Sequence, residues 1–248
     1  MISKKIHYIW LGGKPKSLVA QMCINSWKRN LKDYEIVEWN EEALGLDKLC
    51  RNNKFLNRLV KVKLWGVASD YLRFHILYHE GGIYLDTDVE VIRPYDDFLS
   101  DKIFVGRECD TYVTPATLGA EKNNLAMKRL LEFYDNDVWN LKIFTGPQVL
   151  THVMEKHPEE FADCKVYERE FFQPYIPSKQ YDELVEGKNT YSIHWFSSDW
   201  NMSRKACVFL NTRYFKNPVI KLLMIVKRNI GYFRRKVSGK PKGRNNGK

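Results

Sequence analysis

Residues 80–94, EGGIYLDTDVEVIRP, carry two aspartates, Asp86 and Asp88, one residue apart in a run that otherwise reads as a β-strand. Strand sequences are poor in Asp. Side chains alternate along a strand, so both carboxylates are expected on one face and Thr87 on the other, roughly 7 Å apart. In a dry site such a pair repels unless a cation or a donor sits with it. Mg²⁺ or Mn²⁺ takes one or two carboxylates together with phosphate oxygens, so the chemistry on offer is metal-assisted handling of a phosphate ester. The plainer alternative is that this strand end is simply a solvated turn. Spacing alone does not separate the two, because Asp135 and Asp137 repeat it at the end of an expected helix, where solvation suffices.

Other residues could join this chemistry. Asp70 and Arg73 are three apart on an expected helix and share a face. An Arg fork suits phosphate oxygens and an Asp accepts from hydroxyls, although an ordinary surface ion pair has the same spacing. Trp10 ends the first expected strand, where it is either core or a stacking platform. His75 and His79 have a metal-capable spacing, but no third ligand is evident, so no zinc site is expected. His7, His152 and His157 are assigned to structure or solvent. Gly146 and Pro147 read as a loop beside a bound substrate, or as a plain turn. GGKPK, residues 12–16, is not a phosphate loop.

These residues need elements to position them. KKIHYIWLGG alternates and breaks at Gly12-Gly13, giving a strand and a loop. KSLVAQMCINSWKRN has helical spacing, YEIVEWN is a second strand, and Asn40 is placed to cap a helix over EEALGLDKLC. A helix over KLWGVASDYLRFHILYHE stops at Gly81-Gly82, and the IYL strand follows at once. DKIFVG gives another strand and NNLAMKRLLEFYD another helix. The first half is therefore β-α-β-α-α-β, the order of a nucleotide-binding α/β sheet, whose ligands sit at the carboxyl ends of strands. Beyond about residue 165 the pattern is mixed.

The 248 residues suit one large α/β domain or two small ones. Five cysteines without close pairing suggest a reducing compartment. No secretory leader and no apolar run long enough to span a bilayer is visible, so a cytoplasmic protein is expected. The net charge of +10 is unevenly placed: Lys216–Lys248 holds eleven Lys and Arg and no acid, while the other 29 basic residues face 30 acids. The expected organisation is a domain over 1–215 and a basic amphipathic tail over 216–248 with a disordered end. The apolar-then-basic run from Val219 to Lys236 suits an interfacial helix on anionic lipid; a last core helix with a solvated cationic end is the competing reading.

The blocks IHYIWLGG, ASDYLR and EGGIYLDTD, in that order, resemble the sugar transferases of glycosyltransferase family 32, which include bacterial capsule and lipopolysaccharide transferases. They also look like the catalytic domain of the glucosylating bacterial toxins. The likeness covers roughly the first 95 residues and returns at TGPQVLT and YSIHWFSSDW. It implies a GT-A fold (a Rossmann-like mixed sheet flanked by helices), a nucleotide-sugar donor, Mn²⁺ or Mg²⁺, and retention of anomeric configuration. On that resemblance Asp88 is the principal metal ligand, and Asp86 holds donor sugar and ribose with a further metal contact. Asp70 and Arg73 hold the donor sugar and diphosphate, Tyr84 is an aromatic at the donor site, and Trp10 stacks on the base. The catalytic set implied is Asp70, Arg73 and Asp86.

Family members often show I-H-H-W followed by S-W. Here His194 and Trp200 keep their places, Trp195 replaces the second His, and Asp199 stands where Ser is common. His194 is the candidate to complete the metal site, with Asp199 as substitute, and Ser198 or Trp200 touches the diphosphate or its metal. The implied partners are a UDP-sugar, or a GDP-sugar, and a saccharide or lipid-linked saccharide acceptor in surface-polysaccharide assembly at the inner membrane face. Two rival classes remain. A nucleic-acid-binding protein would use the basic tail, but the body lacks a recognised motif, so no nucleic acid is expected. A phosphodiesterase would need more acids clustered around two metals.

Overall fold

Most expected elements of the first half form. In the computed structural model, which describes residues 1–197 and 203–237, strand β1 (Lys5–Ile9) is followed by α1 (Leu18–Asn30) and β2 (Glu35–Trp39). Ser17 caps α1 by accepting from the Ala20 N–H at 3.2 Å. Next come α2 (Leu46–Asn52), α3 (Lys54–Lys61) and α4 (Trp65–Glu80). One helix more than expected thus separates β2 from β3 (Gly82–Leu85). Asn53 caps α3 through the Leu56 N–H at 2.7 Å, and α3 buries Phe55, Leu56 and Leu59. The expected start of α2 is corrected: Asn40 accepts from Ala43 N–H at 2.9 Å, but it closes only a turn, and the helix begins after Gly45.

Beyond β3 the chain forms β4 (Val89–Val91), β5 (Ile103–Arg107), β6 (Val113–Ala120), α5 (Leu125–Asp135), α6 (Gly146–Lys156), β7 (Cys164–Tyr167), α7 (Arg169–Phe172), β8 (Ser192–His194), α8 (Arg204–Thr212) and α9 (Pro218–Val237). The main sheet has the order β2-β1-β3-β6-β5-β7; β4 and β8 form a separate antiparallel pair. β1 runs parallel to β2 and β3, β6 is antiparallel to β3 and β5, and β5 is parallel to β7. The fold is thus a mixed α/β sheet with helices on both faces. One core gathers residues of α3, α4, α5, α6 and α8, among them Leu56, Leu72, Leu130, Leu150 and Leu210. The other gathers Trp27 of α1 with Phe98, Phe104 and Phe172.

Asp86, Thr87 and Asp88 do not continue a strand. They form the turn between β3 and β4, closed by the Val89 N–H donating to the Asp86 carbonyl at 3.0 Å. The expectation of one strand with alternating faces is therefore corrected. The turn carries the chain out of the main sheet into the small one. There the outer edge of β4 is satisfied by α1 side chains in place of a strand. Trp27 Nε1 donates to Val89 O at 2.7 Å, Asn30 Nδ2 donates to Val91 O at 2.7 Å, and the Val91 N–H donates to Ser26 Oγ at 2.9 Å. Buried backbone groups need such partners, so α1 fixes where the turn lies.

Gly82 makes the tight passage from α4 into β3. Its φ is +98°, and a Cβ there would lie 2.8 Å from the Lys5 carbonyl oxygen. Gly82→Ala therefore meets both a left-handed backbone and a backbone clash, and is expected to lose at least roughly 2 kcal/mol. A lowered denaturant midpoint at unchanged slope checks this.

Candidate active site

The centre of the site is a buried cation. Arg73 lies on α4 with its side chain 4% exposed, and each nitrogen of its guanidinium has a protein oxygen beside it. Nη2 meets Asp70 Oδ1 at 2.7 Å and Asp86 Oδ1 at 3.1 Å. Nη1 donates to Asp86 Oδ2 at 3.3 Å and to the Pro115 carbonyl at 2.9 Å, and Nε donates to the Ser69 carbonyl at 3.3 Å. The guanidinium carbon stands 4.6 Å from the Tyr84 ring centre, a cation–π distance. Burial alone would lower the Arg73 pKa, but Asp86, Tyr84 and Asp70 outweigh it and raise it.

Asp70 is held on its other side by the N-terminus of α6. The Gly146 N–H donates to Asp70 Oδ2 at 2.9 Å, and the helix dipole favours the carboxylate. A Cβ on residue 146 would stand 2.6 Å from Asp70 Oδ1, so glycine permits the approach. Residues 146–147 thus open a helix rather than form a plain turn. Burial, helped by the Asp86 carboxylate and opposed by Arg73 and the Gly146 N–H, pushes the Asp70 carboxyl up to about 7.

Asp86 receives Tyr84 Oη–H at 3.1 Å on Oδ1 in addition to Arg73. Tyr84 is 2% exposed and stands beneath Asp86 as a support. Arg73, expected to grip a diphosphate, has its donors taken up by protein acceptors; here it holds the two carboxylates.

Asp88 faces the small sheet. The register Val89↔His194 sets His194 of β8 beside it, with His194 Nε2 at 3.2 Å from Asp88 Oδ1. The Ser197 N–H and Oγ–H donate to Asp88 Oδ2 at 2.8 and 3.2 Å. Burial works against the Asp88 carboxylate, but His194 and Ser197 outweigh it and its pKa is lowered. Burial likewise opposes the imidazolium, yet Asp88, Asp86 and Glu108 leave the His194 pKa raised. The Trp195–Ser197 segment turns sharply at Phe196, whose φ is +51°. That conformation is uncommon for a bulky residue, and the Phe196 ring lies 4.0 Å from the His194 ring.

One ligand atom each from Asp86, Asp88 and His194 lies within 4.8 Å of the others. Two carboxylates and an imidazole suit a divalent cation. His194 Nδ1 is buried without a hydrogen-bond partner, leaving it uncommitted to any other partner. The residues fit a metal.

Trp10 emerges at the same end of the sheet, since β1 and β3 run parallel. Its Nε1 donates to the Lys14 carbonyl at 2.7 Å, and the ring is partly exposed, 5.8 Å from Lys16 Nζ. Ser198, Asp199 and Trp200 lie outside the described residues. Sequence reasoning missed Ser197 and Gly146 as partners of the carboxylates, and it missed Glu108. Burial raises the Glu108 pKa against His194, Thr114 and Arg169. Nothing in the order of residues places Glu108 near His194; the β5–β6 connection brings it there.

Two measurements follow. Arg73→Met leaves Asp70 buried without its cation and is expected to cost roughly 3–5 kcal/mol; adding Asp70→Asn should restore part of it in urea denaturation. Asp70 also sets a pH dependence. The unfolded carboxyl titrates near about 4 and the folded one at about 7. Its stabilising proton is thus fully present below about 4 and lost as pH rises through about 7. In unfolding curves across that range, Asp70→Asn should remove this slope.

Residues 18–105 match the family described as "Glycosyltransferase sugar-binding region containing DXD motif". Among curated proteins, Subversion of eukaryotic traffic protein A of Legionella pneumophila is 28% identical over 119 residues, 39% of this chain and 18% of that protein. Human alpha-1,4-N-acetylglucosaminyltransferase is 22% identical over 151 residues, 54% of this chain and 42% of that protein. The chain spans less than half the length of these curated relatives. Of solved structures, the PaToxG glycosyltransferase superposes with a TM-score of 0.52 at 23% identity, covering 63% of this chain and 69% of that one. That likeness shows the fold, an α/β arrangement of GT-A type.

Proposed function

We propose that this chain, whose residues 18–105 match the D-x-D sugar-binding region of glycosyltransferases, is a metal-dependent, retaining glycosyltransferase that moves a sugar from a nucleotide-sugar donor. The observation that carries this reading is the convergence of Asp86, Asp88 and His194 at the carboxyl end of β3, the end where ligands of such sheets bind. Asp88, Asp86 and His194 would hold Mn²⁺ or Mg²⁺, which supplies charge neutralisation on a leaving diphosphate when bound.

The chain's own residues do the rest. Arg73 and Tyr84 fix the orientation of Asp86, so that its position costs no reorganisation during the reaction. Ser197 does the same for Asp88. Asp70 is fixed by Arg73 and Gly146, with its oxygens as acceptors for donor hydroxyls. Trp10 offers a partly exposed ring for a base, which favours a UDP-sugar and leaves a GDP-sugar open. The anomeric carbon carries oxocarbenium character, and the neighbouring carboxylates favour it. Retention is carried over from the family resemblance, as is a saccharide or lipid-linked saccharide acceptor in surface-polysaccharide assembly. The nucleic-acid reading leaves the carboxylate cluster unused, and the phosphodiesterase reading lacks the paired-metal acid set.

Thermal unfolding with UDP or GDP, each with Mn²⁺ or with chelator, tests the reading. At a hundredfold excess over Kd a ligand adds about 2.7 kcal/mol, worth roughly 2–4 °C per kcal/mol at this size. A rise with one nucleotide, present with metal and lost with chelator and in Asp88→Asn, is expected. No rise with either nucleotide at saturation would overturn the donor site.

A further inference from the structure

Helix α9 turns its apolar side away from the protein. At about 100° per residue, Val219, Leu222, Leu223, Val226 and Ile230 fall on one arc of roughly 100°. Val219, Leu222 and Leu223 are 65%, 62% and 63% exposed, and Val226 and Ile230 are exposed with them. The opposite side, with Lys221, Met224, Ile225 and Arg228, is the less exposed one, and α9 packs against α8. A last core helix would turn its Leu and Val stripe inward. This one turns it outward. Single exposed apolar residues are ordinary; a contiguous stripe marks an interaction surface.

The charge says what the surface meets. Lys216 and Lys227 are exposed beside the stripe, and from Lys216 to the last residue there are eleven Lys and Arg and no acid, against a near-neutral remainder. A second copy would bring the same positive charge to the contact. An anionic lipid surface brings the opposite charge and takes up apolar side chains as well. No helix among the described residues is long and apolar enough to cross a membrane, so the helix would lie in the interface.

We propose that α9 is a lipid-docking helix that seats its Val219–Leu222–Leu223–Val226–Ile230 stripe in an anionic bilayer surface while the flanking Lys and Arg contact the headgroups. This surface is independent of the carboxylate cluster and does not rest on the transferase reading.

The test is flotation of the full chain with vesicles of phosphatidylcholine alone, or with about a third phosphatidylglycerol. The chain is expected to float with the anionic vesicles at about 0.1 M salt, and to lose at least tenfold of that binding on neutral vesicles or at about 0.5 M salt. The Leu222→Ser/Leu223→Ser variant changes two exposed side chains. It should keep the wild-type melting temperature and bind anionic vesicles at least tenfold more weakly. Three results overturn the proposal: no flotation of the wild type with anionic vesicles, equal flotation of the double variant, or a wild-type dimer in sedimentation equilibrium that the double variant dissolves. The last would assign the stripe to a second copy of the chain.

Discussion

Everything at the site depends on the Arg73 guanidinium between Asp70 and Asp86. Taking a cation into a protein interior costs several kcal/mol after relaxation. Here that cost is offset by two carboxylates, two backbone carbonyls and the face of Tyr84. The acceptors come from three separate pieces of chain: α4, which supplies Ser69 and Asp70, the end of β3, and β6; Asp70 is itself tied to the start of α6. The ion network therefore fixes the relative position of the elements that carry the site. It also explains why two acids are tolerated beside each other in a largely buried place, since they share one cation.

Asp88 needs a different support. It leaves the main sheet with the turn that begins at Asp86, and its anchor is the small β4–β8 sheet. That sheet has few residues and would be marginal alone. Its outer edge is held by Ser26, Trp27 and Asn30 of α1, and Trp27 is fully buried. The two aspartates of the D-x-D are thus fixed by different cores: Asp86 through α4 and β6, Asp88 through α1 and β8. Their convergence with His194 is a property of the whole fold and not of a three-residue motif.

This division explains what could be read from the sequence. β1, β2, α1, α4 and β3 follow from alternation, helical spacing and the glycine pair, because those signals are local. β6 escaped, since Pro115 interrupts it and argues against a strand; the β5–β6 register shifts between Val105 and Gly106, opposite that stretch, and the freed Pro115 carbonyl serves Arg73. The carboxylates were legible as residues, but their geometry was not, because a turn between two sheets looks like one strand when only the side-chain pattern is seen. Asp135 and Asp137, with the same spacing, are exposed at and just beyond the end of α5, which shows how little spacing carries without its setting. His194 was reachable through the family block. Ser197 and Gly146 lie in such blocks too, but their roles as N–H donors to Asp88 and Asp70 come from the backbone, which residue types do not reveal, and Glu108 lies in no block.

The rigid and the variable parts of the site separate along the chain. The carboxylates are over-determined by buried contacts, so their geometry tolerates little change without loss of the fold. The features that would choose among donors and acceptors are less constrained. Trp10 projects from a loop held by Gly12 against Trp65, where a Cβ would come within 2.6 Å of Nε1. The segment after His194 turns through a strained Phe196. A scaffold that fixes phosphate-end chemistry in its core and leaves recognition to loop ends can change substrate without rebuilding the centre. The match over residues 18–105 therefore bears on the carboxylate geometry of this chain far more than on any donor or acceptor that it would take.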